Sequence, residues 1–373
     1  MYGMNLMTKK PIAIGSYSVG GTNECFIIAE MGSNHDGKIS RAKNLIDIAG
    51  EAGCSAVKIQ VVFSAECYPP NTKYPAHYGD EDLAEVIRRK EIPNEWVGEL
   101  RQYTNDHGML FGASTDGFIG LEVMLKGGVD FIKIPSFAIS NIPLLLRAAS
   151  AQLPVIIGTG VHTVGQVEEA LMALGSVPKA LLHCVSAYPA SLEGLNLVNM
   201  KFYDDAFSVP VGFSDHSVHP TIAPGLAVAL GAKLLEKHYT YDRTVEGPDH
   251  FFAIEPKELH SMVKEVRKVE NDPEYRNQVI NNQKNVSLYG NVRRGIYKDE
   301  TSIHERTRLG LYFLHDLSAG SILHSSDLRV FRCGNTEPKL HPRYLNVVIG
   351  ARLVHDVSKY QPVSWEHIIE KQQ

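Results

Sequence analysis

Between residues 26 and 239, eight short runs of aliphatic and β-branched residues alternate with amphipathic stretches. This alternation leaves few folds open, because parallel strands buried on both faces and joined by crossover helices give that pattern. The runs are Phe26–Met31, Ala56–Val61, Met109–Ser114, Phe131–Pro135, Pro154–Gly158, Ala180–Val185, Pro210–Ser214 and Leu234–Tyr239. Helical periodicity falls between them at Ser40–Ala52, Asn94–His107, Val164–Leu174 and Thr221–Leu230, with a last helix over Pro256–Lys268. Eight such units predict an α/β fold of the TIM (β/α)8 type, in which chemistry gathers at the C-terminal rim of the strands.

That rim is polar in this chain. The runs end in Glu30, Lys58 with Gln60, Ser114 to Asp116, Lys133 with Ser136, Thr159, His183 with Ser186, Asp215 with His216, and Glu236 with His238. Sixteen histidines make any single one a weak signal. His216 and His238, however, end consecutive runs and would bring two imidazoles to one rim, a donor set suited to a divalent transition metal. Asp249, in Gly247-Pro248-Asp249-His250, adds a carboxylate on the following loop. Lys58 and Lys133 lie within apolar strands, where an ammonium needs a partner to offset its desolvation. They form either a phosphate or carboxylate site with Ser136 and Ser214, or internal pairs with Glu30 or Glu236.

Residues 272–310 are polar and lack apolar periodicity, so a barrel over 1–271, a linker over 272–310 and a small β-rich domain over 311–373 are expected. In the last, Leu311–Leu317, Ile322–Arg332 and Val347–Val357 look strand-like. A net charge of −5 offers no footprint for nucleic acid. No apolar run reaches the roughly 18 residues of a membrane span, and the N-terminal segment lacks an export signature, so a cytoplasmic location is expected. Five dispersed cysteines without CxxC spacing read as packing residues.

Several segments in one order resemble the sialic acid synthase family, which includes N-acetylneuraminate, pseudaminate, legionaminate and spore-coat polysaccharide types. They are Ile28-Ala-Glu-Met-Gly-Ser-Asn-His-Asp-Gly37, Ala56-Val-Lys-Ile-Gln60, Leu181-Leu-His-Cys-Val-Ser-Ala-Tyr-Pro189, Gly212-Phe-Ser-Asp-His-Ser217, Glu236-Lys-His-Tyr-Thr240 and Gly247-Pro-Asp-His250. Asp316-Leu-Ser-Ala-Gly320 and Phe331-Arg-Cys-Gly-Asn335 are similar to that family's antifreeze-like (SAF) domain.

The resemblance implies condensation of phosphoenolpyruvate with the open-chain aldehyde of a 2-acylamino sugar, releasing phosphate and a 2-keto-3-deoxy nonulosonate. It implies that His216 and His238 hold a divalent metal, manganese in the family, with magnesium or cobalt as alternatives. Lys58, Lys133, Ser136 and Ser214 would grip phosphoenolpyruvate, and Glu30 and Asp249 would handle protons. Gln60, Ser186 and Tyr188 join the substrate set, and Arg332 would reach the sugar from a partner subunit in a homodimer with exchanged SAF domains.

The chain departs from the family pattern at Ala138, where a sugar-binding glutamate is usual, at Gly158, usually serine, at Cys333, usually proline, and at Phe252-Ala253. These changes imply an unusual acceptor sugar. The alternative is a catalytically weakened paralogue serving as a sugar-binding regulatory or scaffold subunit. An unrelated barrel hydrolase would need more metal ligands than two histidines.

Overall fold

A computed structural model describes residues 10–72, 82–292, 295–334 and 336–369. Asn335, the last residue of one quoted motif, lies outside the described residues.

A hairpin of β1 (Ile12–Ile14) and β2 (Tyr17–Val19) precedes eight parallel strands. These are β3 (Phe26–Gly32), β4 (Ala56–Gln60), β5 (Leu110–Ser114), β6 (Phe131–Ile134), β7 (Val155–Gly158), β8 (Lys179–His183), β9 (Val211–Asp215) and β10 (Leu234–His238). They pair in sequence order, and β10 closes on β3. All eight expected runs are strands, and the expected helices are found at Ile39–Ala52, Trp96–Asp106, Val164–Ala173, Ile222–Ala229 and Pro256–Asn271.

The period of two along each strand sorts side chains between two environments. Ile27, Ala29, Val57, Ile59, Ile132 and Ile134 join the core shared with the helices. Phe26, Ile28, Ala56, Phe131, Ile156 and Leu182 pack with one another inside the barrel, where Ile14 and Val19 of the hairpin close its N-terminal end. Further along, the same inward positions carry Lys58, Gln60, Ser114, Lys133, Ser214, Glu236 and His238 around one cavity. The barrel interior therefore changes from hydrocarbon to ionic along the strand direction.

The polar segment 272–310 is not an extended linker. It contains helices Pro273–Asn281 and Thr301–Thr307 with shorter turns between, and Leu288 and Glu300 are buried. Asp272 accepts from Tyr275 N and Pro273 occupies the first turn, a capping arrangement that starts a helix despite weak apolar periodicity.

The small domain is built on antiparallel β11 (Leu309–Phe313) and β12 (Leu328–Arg332) around Leu311, Phe313, Leu323, Leu353, Val357 and Val363. The expected third strand over Val347–Val357 is not one. Leu345–Val348 is a helical turn, Gly350 takes φ +87°, and only isolated bridges to Leu317 and Ile322 remain. Among the described residues no helix is long and apolar enough to cross a membrane. All five cysteines are free and buried.

Candidate active site

At the C-terminal end of the barrel two lysines and two glutamates form one buried network. Lys133 Nζ donates to both carboxylate oxygens of Glu236 at 2.8 and 3.0 Å. Lys58 pairs with Glu30, donates to Ser114 Oγ at 3.3 Å and lies 3.9 Å from Glu236. Ser214 Oγ donates to Glu236 at 3.0 Å. Both readings of the lysines thus meet in one place, since the internal pairs exist and the ammonium groups also line the cavity. Burial opposes the charge of Glu236, but the flanking ammonium groups outweigh it and hold the carboxyl at about 2. Burial pushes Glu30 up to about 7, with Lys58 pulling the other way.

Two imidazoles face this network. His216 Nδ1 lies 2.8 Å from Val185 O, an acceptor only, so Nδ1 carries the proton and Nε2 keeps its lone pair. His238 Nδ1 is buried without a hydrogen-bond partner. The ring centroids are 6.0 Å apart, and burial lowers both imidazoles to about 4, so they are neutral nitrogen donors at physiological pH. An orphaned nitrogen and a fixed lone pair fit a metal with two protein ligands; among the described residues no group of three or more His, Cys, Asp or Glu is assembled to hold one. The ring of Tyr188 packs tilted against His216 at 4.3 Å between centroids, and that of Phe252 against His238 at 4.9 Å.

The loop after β3 completes the rim. Gly32 takes φ +56°, where the strand register shifts, and its N–H donates to Glu30 at 2.7 Å. A Cβ there would lie 2.7 Å from Asp249 Oδ2 and 3.2 Å from His238 Nδ1, so only glycine lets these groups approach. Asp249 accepts from Ser33 N at 2.9 Å and Ser33 Oγ at 2.7 Å. Burial works against its charge, but Lys90, His238 and the Ser33 bonds keep its pKa below the usual carboxylate value. His250 holds this loop in place, its Nε2 2.9 Å from Asp36 and its Nδ1 2.6 Å from Thr240 Oγ1.

Gln60 and Tyr188 line the cavity, and Ser136 Oγ lies 2.9 Å from Ser186 Oγ. The cavity is small, about 60 Å³. A larger groove of about 650 Å³ at the hairpin end is lined by residues such as Pro11, Met172 and Phe207, away from the buried ionic network. Ala138 is buried in the core beside the rim, and Phe137 lines the cavity.

Arg332, within this single chain, pairs with Asp116 at the end of β5, and its guanidinium lies over Phe137 at 4.2 Å and Tyr68 at 5.4 Å. Arg332 thus backs the aromatic wall of the cavity. Gly32, Asp116 and His250 were assigned no role from the sequence, and Glu236 was expected only as a pairing partner for a lysine, which Lys133 makes it. Glu236 had a visible signal, a carboxylate within an apolar strand beside His238. Asp116 had none pointing to a partner 216 residues away.

The NeuB family model matches residues 45–276, and the SAF domain model matches residues 310–369. The spore coat polysaccharide biosynthesis protein SpsE of Bacillus subtilis is 34% identical, with 96% of this chain and 97% of that protein covered. The N,N'-diacetyllegionaminic acid synthase of Legionella pneumophila is 32% identical, with 94% and 96% covered. The crystal structure of B. subtilis SpsE superposes with a TM-score of 0.85 at 33% identity, covering 97% of this chain and 100% of that one.

Proposed function

The chain belongs to the NeuB family, and from that premise we propose that it condenses phosphoenolpyruvate with the open-chain aldehyde of an acylamino sugar. The products are phosphate and a 2-keto-3-deoxy nonulosonate, a sialic acid-like sugar. The carrying observation is that two buried ammonium groups, Lys58 and Lys133, line one small cavity together with two neutral imidazoles. Ammonium and hydroxyl donors suit a phosphate and a carboxylate, and the imidazoles suit a Lewis-acidic ion facing an aldehyde. The Legionella relative, a named synthase, supports the same reaction class.

Lys58 and Lys133, with Ser136 and Ser214, grip the anionic ends of phosphoenolpyruvate. Each lysine turns from its glutamate toward the substrate, whose charge then takes over the pairing. His216 and His238 would hold a divalent ion, for which manganese is the proposal, and its chemistry there would be to polarise the aldehyde oxygen. C3 of phosphoenolpyruvate attacks the aldehyde carbon, forming the C–C bond as the aldehyde oxygen takes a proton. Water adds to the resulting cationic C2 and loses a proton, and the tetrahedral centre collapses to a ketone with cleavage of the C–O bond to phosphate. Glu30, the register partner of His238 on the neighbouring strand, and Asp249 are the groups to donate and receive these protons. Tyr188 and Phe252 give the acceptor an apolar wall. Such chemistry on a central metabolite fits a cytoplasmic enzyme.

The functional unit proposed is a homodimer with exchanged small domains. In it the Arg332–Asp116 pair would form between subunits rather than within one. A Lys58→Ala chain mixed with an Arg332→Ala chain then regains activity in heterodimers that carry one intact composite site. If subunit exchange is verified and no activity returns, the exchange is wrong.

The reaction is tested by phosphate release from phosphoenolpyruvate across a panel of 2-acetamido sugars. Release that requires an acceptor supports it. Sugar binding with no release from any acceptor would favour the scaffold reading instead.

A further inference from the structure

Glu300 lies in the segment that joins barrel and small domain, yet it is completely buried. Its Oε1 accepts from Val161 N at 3.0 Å and from Ser186 N at 2.9 Å, and its Oε2 accepts from Tyr297 N at 3.3 Å. Val161 and Ser186 belong to the loops after β7 and β8, so one oxygen ties two rim loops together. Both loops need holding. Val161 is a β-branched residue at φ +52°, a left-handed conformation that strains such side chains. His304 Nδ1, one helical turn beyond Glu300, lies 3.0 Å from Val161 O and holds the carbonyl side of the same residue. Ser186 in turn places its hydroxyl 2.9 Å from Ser136 Oγ, at the phosphoenolpyruvate end of the cavity. Between the loops, a Cβ on Gly160 would lie 2.2 Å from Ser186 Oγ and 3.1 Å from Glu300 Oε1, so the packing is close.

A carboxylate makes sense here for a physical reason. One carboxyl oxygen has lone pairs for two N–H groups at once, which a hydroxyl on a shorter side chain could not reach. Removing it leaves two donors buried away from water, and a loop with a strained residue would then relax. The hydroxyl of Ser186 would move with its own backbone.

We infer that Glu300 is a positioning residue for the condensation site: by holding the backbone of Val161 and Ser186 it sets Ser186, and through it Ser136, for phosphoenolpyruvate. This rests on the function proposed above. It also gives the segment 297–304 a task beyond connecting two domains. The helix Thr301–Thr307 that continues from Glu300, with its C-cap Arg308, is bonded to the turn that follows Arg332 at the end of β12, through Cys333 N to Arg308 O at 2.8 Å and Gly334 N to Arg306 O at 3.1 Å. The same short stretch thus borders both the rim and the small domain.

The test is phosphoenolpyruvate affinity, measured by titration calorimetry on the full chain without acceptor, beside thermal melts. Glu300→Ala is expected to weaken binding about tenfold to a hundredfold, the range for leaving buried donors unpaired. Glu300→Gln, whose amide oxygen can still accept both N–H groups, should stay within about threefold of wild type. A purely structural role is separated by adding Val161→Gly, because glycine accepts positive φ and needs no clamp. The double variant Glu300→Ala/Val161→Gly should regain melting temperature yet keep the weakened affinity, because Ser186 still lacks its anchor. Adding Ser186→Ala to Glu300→Ala should then cost nothing further if Glu300 acts through Ser186. Recovery of both stability and affinity in the double variant would overturn the inference, as would unchanged affinity in folded Glu300→Ala. A wild-type chain that binds no phosphoenolpyruvate would overturn the functional reading itself, and this inference with it.

Discussion

The two ends of the same eight strands solve opposite problems. At the N-terminal end Phe26, Ile28, Phe131, Ile156 and Leu182 fill the barrel with hydrocarbon under the hairpin residues Ile14 and Val19. At the other end, the next inward positions hold Lys58, Lys133, Glu30 and Glu236, nearly as buried as the apolar layer below. Burial is favourable for the first set, at about 25 cal/mol per Å² of apolar surface removed from water. For the second it is a penalty that ion pairs and hydroxyls offset without clear surplus. The apolar end accounts for the fold, and the ionic end is retained for another purpose.

The sharpest way to break this contrast is to exchange the ionic network for hydrocarbon. Replacing Lys58 and Lys133 by Met and Glu30 and Glu236 by Leu should remove turnover by at least about a thousandfold, since the anion grip and a proton carrier go together. Stability should hold or rise by about 1–4 kcal/mol, as when buried ion pairs elsewhere are replaced by packed apolar groups. Urea unfolding beside phosphate release checks both, and a large loss of stability would show the network to be structural.

The converse substitution, Phe131→Ala, should cost about 3–5 kcal/mol of stability through the cavity it leaves. The turnover of molecules that remain folded should change little, because the ring packs below the ionic layer. Active-site titration with melting curves would measure this. A fall in turnover per folded molecule would show that the two layers are coupled.

Specificity sharpens the picture of the rim. With Ala138 rather than a carboxylate buried beside the rim, and the rings of Phe137 and Phe252 close by, N-acetylmannosamine should fall one to two decades in kcat/KM below the best acceptor of a panel. That is the scale of about 1.5–3 kcal/mol for lost bonds to a charged group. Equal efficiency would show the acceptor pocket to be of the ordinary type.

The smallest effect concerns pH. His35, on the loop after β3 and packed edge-on to Trp96, is lowered by burial from 6.5 to about 4. Its folded state therefore binds fewer protons than the unfolded chain between these values. The contribution to stability is full above about pH 6.5 and is lost as pH falls from there toward 4. His35→Gln should flatten the stability profile in that window alone. Parallel profiles for wild type and variant would refute the assignment.

The same contrast governs what could be read from sequence. Strands buried on both faces leave near-continuous apolar runs, which is why all eight were legible. A lysine inside such a run is conspicuous, and so Lys58 and Lys133 pointed to the site. Glu300 was not legible, because its partners are backbone N–H groups 114 and 139 residues away and its own segment has no apolar period. The helix at Pro273 was signalled by Asp272-Pro273, but the polar composition around it outweighed a two-residue cap. In Val347–Val357 an apolar run is broken by Gly350 in the left-handed region, and the local turn overrides strand propensity.

In the proposed reaction the ionic layer handles phosphoenolpyruvate so that its C–O bond, not its P–O bond, breaks. The most direct measurement uses phosphoenolpyruvate carrying ¹⁸O in the bridging enol oxygen, incubated with the best acceptor and divalent metal, with phosphate and sugar products weighed by mass spectrometry. The label should leave with the phosphate, and the product should equal acceptor plus pyruvate carbons. Phosphate released without label, or released equally in the absence of acceptor, would contradict the account.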